Sequence, residues 1–313
     1  MSHEVETMAY AGDVPWHGLG VRVPADLSPD QMLVKAGLDW EVEKHAIYTK
    51  VQDKTYPVKG KCALVRNSDD SILDIVTDSW NPVQNKEAFE FFDEYCRAGD
   101  MEMHTAGSLK NGQIVWVLAK IKESFELFKG DEVESYLLLT NPHKFGQSID
   151  VRFTPIRVVC NNTLTLSLQS KVNYVKVNHG TVFNPDIVKE SLGIATDKLA
   201  KYKEMAAFLG SKRYTEKSMK EYFDAIFPSY SKKEKDTLEL SRNAQKAASI
   251  IETQPGSKYA EGTWWQPFNA VTYLLDHVVG RNNESRLTSS WYGINKNVKV
   301  QALEKAIEFA EAA

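Results

Sequence analysis

The hydrophobic period of this chain changes once, near residue 183, and that change most restricts how it can fold. Before it, short apolar-polar alternations recur, the period-2 pattern of strands. After it, apolar residues return at the three- and four-residue intervals of helices. Segregated strands and helices give an α+β protein, not a doubly wound sheet. The expectation is a strand-rich N-terminal and middle part, with an antiparallel or mixed sheet, followed by a helical C-terminal part. Two regions follow: a β-rich core over 1–182 and a helical region over 183–313 packed on it.

Local signals sharpen the pattern. Ser28-Pro29-Asp30 is a helix start, with Ser as cap and Pro at the first helical position, and Gly37 ends that helix. Trp40 to Tyr56 reads as one or two strands. Asn67-Ser68-Asp69-Asp70 separates two apolar runs and reads as a hairpin turn. Asn85 caps a helix over Lys86–Arg97. Lys110-Asn111-Gly112 joins two further strands through an Asn-Gly turn. The helices expected afterwards are Pro185–Leu209, Thr215–Phe227, Ser231–Thr253, Gly262–Val279 and Asn297–Ala312.

At 313 residues, 42 % hydrophobic and 26 % charged, the chain is neither disordered nor a rod. No apolar run approaches the roughly 18–20 residues of a membrane span. The opening Met1–Glu6 has neither the basic nor the apolar region of a signal peptide. Cys62, Cys96 and Cys160 are too few and too scattered for a disulfide framework or a zinc site. The expectation is a cytoplasmic protein of a bacterial cell, without membrane, metal or cofactor.

Charge is unevenly spread. Residues 1–140 hold 14 Lys and Arg against 24 Asp and Glu, a net −10, while 141–213 hold 11 against 5. Within 141–182 the cations are Lys144, Arg152, Arg157, Lys171 and Lys176, against the single acid Asp150. Phe145, Phe153 and Tyr174 interleave with them. Cations for phosphates and rings for bases are what single-stranded nucleic acid requires. Either these cations face solvent or they pair with the acidic N-terminal half.

No phosphate-binding glycine loop, zinc-protease motif or hydrolase elbow occurs, and no catalytic residue is assigned. Asp276-His277 are helix neighbours that do not face each other. Arg157 and Asn161, four apart, share a face that offers a guanidinium fork and an amide. Trp16 and His17 sit in a rigid turn, Pro15-Trp16-His17-Gly18-Leu19-Gly20. Trp264, Phe268, Val271, Leu275 and Val278 form an apolar helical stripe, and Asn269, Tyr273 and Asp276 a polar one. Trp16, His17, Trp264, Trp265, Asn269, Tyr273 and Trp291 are candidates to line a groove.

Six segments occur together in this order: Pro15–Gly20, Trp80-Asn81-Pro82-Val83-Gln84-Asn85, Thr105-Ala106-Gly107-Ser108-Leu109, Thr154–Leu164, Gly262–Thr272 and Ser289-Ser290-Trp291-Tyr292-Gly293. In them the sequence resembles the phage/plasmid-like protein family of unknown function, found on bacteriophages, plasmids and integrated elements. The resemblance spans nearly the whole chain. It implies an accessory protein of a mobile element and brings no established activity or catalytic residues. By analogy of fold it is similar to single-strand-annealing recombinases.

The expected function is therefore single-stranded DNA binding or annealing by a homo-oligomer. The phosphate and base contacts would come from Lys144, Arg152, Arg157, Asn161, Lys171 and Lys176 with Phe145 and Tyr174. The alternatives are an inhibitor of a host defence system that binds a host or phage protein, and a nucleic-acid-processing enzyme with Asp276, His277, Asn269 and Arg157 in one cleft.

Overall fold

Strands dominate the first part of the chain and helices the last, as their periods ask. The computed structural model describes residues 5–12, 20–157, 162–163, 175–177, 179, 200–229, 240–280, 289–290 and 293–313. In chain order the strands are β1 (Val5–Ala11), β2 (Val21–Val23), β3 (Val42–Val51), β4 (Lys54–Arg66), β5 (Ser71–Thr77) and β6 (Met101–Leu109). They continue with β7 (Ile114–Glu126), β8 (Glu132–Pro142), β9 (Ile149–Arg157), β10 (Asn162–Thr163) and β11 (Val175–Val177). An eight-stranded sheet has the order β10-β9-β8-β7-β6-β1-β2, with β11 also on β9; β3-β4-β5 form a second sheet. The larger sheet is mixed, because β1 and β2 run parallel while β1–β6 and β6–β7 are antiparallel. The protein is thus α+β.

The chain groups into two compact units. The first holds Met1–Glu123, Tyr136–Phe153 and Tyr174–Leu192; the second holds Ser124–Ser135, Thr154–Asn173 and Gly193–Ala313. The chain passes between them several times, where a single boundary at 182/183 was expected.

In the first unit, alternate strand residues Val115, Val117, Ala119, Leu137, Leu139 and Val151 supply one core face. Met32 and Leu33 of the Pro29–Lys35 helix and Phe89 of the Asn85–Glu90 helix belong to the same core. Ser28 caps the first helix, with Gln31 returning a bond to the Ser28 amide at 2.9 Å. The expected Lys86–Arg97 helix divides into Asn85–Glu90 and Asp93–Ala98, and its cap is Gln84. Asn85 is instead fully buried. Gly107 explains part of its motif: a Cβ there would stand 2.4 Å from the Thr7 carbonyl of β1. Arg66 of β4 bonds Glu6 of β1 at 2.8 Å and links the two sheets.

In the second unit the helices are 200–211, Glu216–Ile226, Arg242–Ile250, Trp265–Tyr273 and Ile294–Glu311. Thr215 and Ser241 cap two of them. Trp265–Tyr273 continues into a π-helical turn, Leu274–Val278. Residues 185–199 and 231–239 of the expected helices lie outside the described residues. Among the described residues, no helix is long and apolar enough to cross a membrane.

Candidate nucleic-acid interface

The most exposed element of the first unit is built from an ordinary strand sequence. Tyr48, Thr49, Lys50 and Val51 pair with Pro57, Tyr56, Thr55 and Lys54 as the far end of the β3–β4 hairpin. β-Branched and aromatic residues favour strands. The turn is closed by Gln52 at a φ of 54°. Only the near end is part of a wider sheet, since β5 pairs with β4 from Lys61 to Arg66 and no further. Val42, Cys62 and Leu64 anchor that end in the core. Between them, the register shifts where β4 carries Val58-Lys59-Gly60-Lys61 opposite Ile47, with Gly60 at a φ of 75°.

From Glu43 to Lys61, Ile47 and Val58 are half-buried and every other residue is exposed. Tyr48 is 61 % exposed, Tyr56 46 % and Val51 57 %. A two-stranded ribbon open on both faces gains little from burial, so its side chains are free to meet something else. Directly opposed residues share a face. One face of the tip therefore carries Tyr48 and Lys50, paired with Pro57 and Thr55; the other carries Tyr56 and Lys54, paired with Thr49 and Val51. Each face shows one ring and one ammonium two residues apart.

The ribbon is also basic. Residues 44–61 contain Lys44, Lys50, Lys54, Lys59 and Lys61 against Asp53 alone, a net +4. Lys44 Nζ donates to the Asp78 carbonyl at 2.5 Å. Among the described residues, Lys50, Lys54, Lys59 and Lys61 are in no ion pair. Without the ribbon, residues 1–140 hold 9 cations against 23 acids, so the ribbon is a basic element in an otherwise acidic stretch.

Two of the residues expected to bind nucleic acid lie at its base. Lys61 Nζ stands 5.3 Å from the centroid of the Phe145 ring, which is 56 % exposed. Asp74 accepts from the Phe145 amide at 2.8 Å and fixes that loop. Lys144, next in the chain, is half-buried and in no ion pair among the described residues.

The other expected residues divide. Arg152 is a correction: its guanidinium is bound through Nε and Nη2 to Asp150, with both side chains mostly buried. The strand spacing i, i+2 puts the two on one face, where the local acid neutralises the cation. Lys176 is in register with Asp150 and Arg157 with Asn162. Asn161, Lys171, Tyr174, Trp16, His17 and Trp291 lie outside the described residues.

Trp264, Trp265 and Asn269 do not line an open groove; they are the interior of the second unit. Trp264 packs 5.6 Å from Tyr222 and 5.5 Å from Phe309. Trp265 packs 5.7 Å from Phe128. Asn269 Nδ2 donates to the Trp265 carbonyl at 2.6 Å, and Tyr273 is half-buried 4.6 Å from the His277 ring. The helix is covered on every side from Trp265 to Thr272, which a two-stripe reading of its sequence does not allow for. Asp276, offered as a catalytic group, is bound to Lys299 Nζ at 2.9 Å and accepts from Ser290 Oγ at 2.6 Å, all three buried.

The model of a domain of unknown function, DUF932, matches residues 72–291, more than half of the chain. The chain belongs to that family. No curated protein and no solved structure matches it. The DUF932 match begins within β5, so the β3–β4 ribbon precedes it while Lys144 and Phe145 fall inside it.

Sequence reasoning missed the ribbon because charge was averaged over a long acidic half. The signal was present: five lysines and one acid within one hairpin.

Proposed function

We propose that this DUF932 protein binds single-stranded DNA through the β3–β4 ribbon, as an accessory protein of DNA recombination or replication on a phage or plasmid. The observation that carries the reading is a doubly exposed basic ribbon with a tyrosine and a lysine on each face. Lys50, Lys54 and Lys59 hold phosphates, and Tyr48 and Tyr56 stack on unpaired bases. Lys61, Phe145 and Lys144 extend the contact at the ribbon's base. A homo-oligomer repeats the ribbon along a strand, leaving base edges open for annealing.

Fluorescence anisotropy with a labelled single-stranded oligonucleotide tests this at two or more salt concentrations. Affinity falls steeply with salt, because each neutralised phosphate releases about 0.7 counterion on single strands. Changing Lys50, Lys54 and Lys59 together to Ala lowers the logarithmic salt slope by about 2. No binding by the intact protein at low salt overturns the proposal, as does binding unchanged in the triple variant.

A further inference from the structure

The two faces of the ribbon end differently at its base, and this bears on how much DNA one ribbon takes. At the core-anchored end of the hairpin, Val42, Lys44 and Ala46 lie opposite Arg66, Leu64 and Cys62. The extra residues of the register shift belong to β4, so β3 keeps its alternation and carries this side on to Tyr48 and Lys50. Toward the body the same side runs into the core, where Val42, Cys62 and Leu64 are buried. Lys44, on this side, donates its ammonium to the Asp78 carbonyl at 2.5 Å. The Tyr48 face is therefore short and closed at its base.

The Tyr56 face stays open. From Val51 and Thr49 it continues through Ile47 to His45, which lies opposite Ala63, and Ala63 lies opposite Ile75 of β5. Glu43, Val65 and Ile72 make the next row. Ile75 is 51 % exposed and Ile72 68 %, so this side of the second sheet faces solvent as the ribbon does. Lys61, two residues before Ala63 on a regularly paired stretch, stands on the same side. Its ammonium lies over the Phe145 ring. Glu43, paired with His45 Nε2 at 2.9 Å, is the first carboxylate met inward from Val51 and ends the track. At about 3.3 Å per residue, the open face runs about 20 Å from Val51 to His45, and the closed one about 13 Å from Lys50 to Ala46.

We propose that one ribbon holds two single strands of DNA at once, a longer segment on the Tyr56 face, running over Ala63 and Ile75 toward Lys61, and a shorter, weaker-held one on the Tyr48 face. This rests on the ribbon being the DNA site. Each face has its own ring and its own ammonium, Tyr56 with Lys54 and Tyr48 with Lys50, and successive side chains of a strand point to opposite sides. A strand stacked on Tyr56 reaches Tyr48 only by passing round the ribbon's edge. On the open face Ala63 and Ile75 give the bases an apolar floor beyond the ring, which is why that segment is the tighter one. Two strands on one element raise the local concentration of each at the other, as linked sites do, and annealing asks for that.

The test titrates the full chain at low salt with an oligothymidylate of about eight nucleotides, a length within the range that small single-strand-binding folds cover. Calorimetry and native mass spectrometry count oligonucleotides per chain, so self-association does not enter, and thymidylate does not pair with itself. The expected result is two unequal equivalents per chain. Tyr48→Ala with Lys50→Ala removes the weaker one, and Lys54→Ala with Tyr56→Ala the tighter. Ile75→Glu, which keeps every ring and ammonium, weakens only the tighter. These positions are exposed, and unchanged melting temperatures verify that the variants fold. One equivalent per chain at saturation overturns the proposal and leaves DNA binding by the ribbon standing. So does loss of all binding in either double variant, the mark of one strand wrapped over both faces. A tighter site unmoved by Ile75→Glu overturns the extended track. No binding by the intact chain overturns this proposal and the ribbon reading together.

Discussion

Lys299 occupies a place in its helix that an apolar residue would ordinarily fill. It lines up with Ala302, Leu303, Ala306 and Ala310 on the buried stripe of Ile294–Glu311. Its ammonium is fully buried against Asp276 on the π-helical turn. Removing the ammonium leaves that carboxylate charged in a dry interior, so Lys299→Ala costs about 3–5 kcal/mol, whereas the paired change Lys299→Met with Asp276→Leu comes close to neutral. Urea midpoints of the two variants check this. The buried histidines make a second prediction. Their pKa values fall from 6.5 to about 3 for His143 and about 4 for His179, mainly by burial. The folded state therefore prefers them neutral. Their contribution is complete above pH 6.5 and is lost as pH falls toward the folded values, because the unfolded chain takes up protons first. At pH 5 the loss from His143 reaches about 2 kcal/mol. Stability should drop more between pH 7 and 5 in the wild type than in His143→Gln.

At the scale of elements, the ribbon and the sheet from which it grows separate cleanly. The near half of the β3–β4 hairpin is anchored in the core and flanked by β5; the far half is exposed. Replacing residues 47–61 with Asn-Gly closes the hairpin at the Ala46–Cys62 pair with a favoured two-residue turn. Little buried surface is lost, so the melting temperature should stay within a few degrees while single-stranded DNA binding disappears. A large loss of melting temperature would show that the ribbon is structural. Much of this element was legible. Alternation from Trp40 to Tyr56 predicts strands, and Asn67–Asp70 predicts the next hairpin, both as observed. The ribbon's exposure was not legible, because an apolar-polar alternation looks the same whether its apolar face meets a core or water. The same ambiguity misplaced Trp264 and Trp265: aromatics serve a groove or a core equally well, and only neighbours such as Tyr222, Phe309 and Phe128 decide.

At the scale of the whole molecule, the division of the chain does not follow the change of period. Segments 124–135 and 154–173 belong to the unit that contains the C-terminal helices, although strand sequence leads into both. Gly210 shows how closely 124–135 is bound there, since a Cβ on it would stand 2.4 Å from the Phe128 ring. A fragment cut at 182/183 should therefore lose fixed packing in both halves. Near-ultraviolet circular dichroism of the two fragments, alone and mixed, measures this; a native-like spectrum from either fragment alone would contradict it. By itself the sequence determined the fold class, the helix caps at Ser28 and Thr215 and the turns at Asn67–Asp70 and Lys110–Gly112, because these depend on neighbours within a few residues. Only the tertiary structure decided that the basic ribbon stands open, that Trp264 and Trp265 are interior, and that Asn141 and His179 bond the backbone of 81–85 while His143 bonds Asn85. Solvent exposure and the company of a charge are set by residues up to a hundred positions away, and no local period records them.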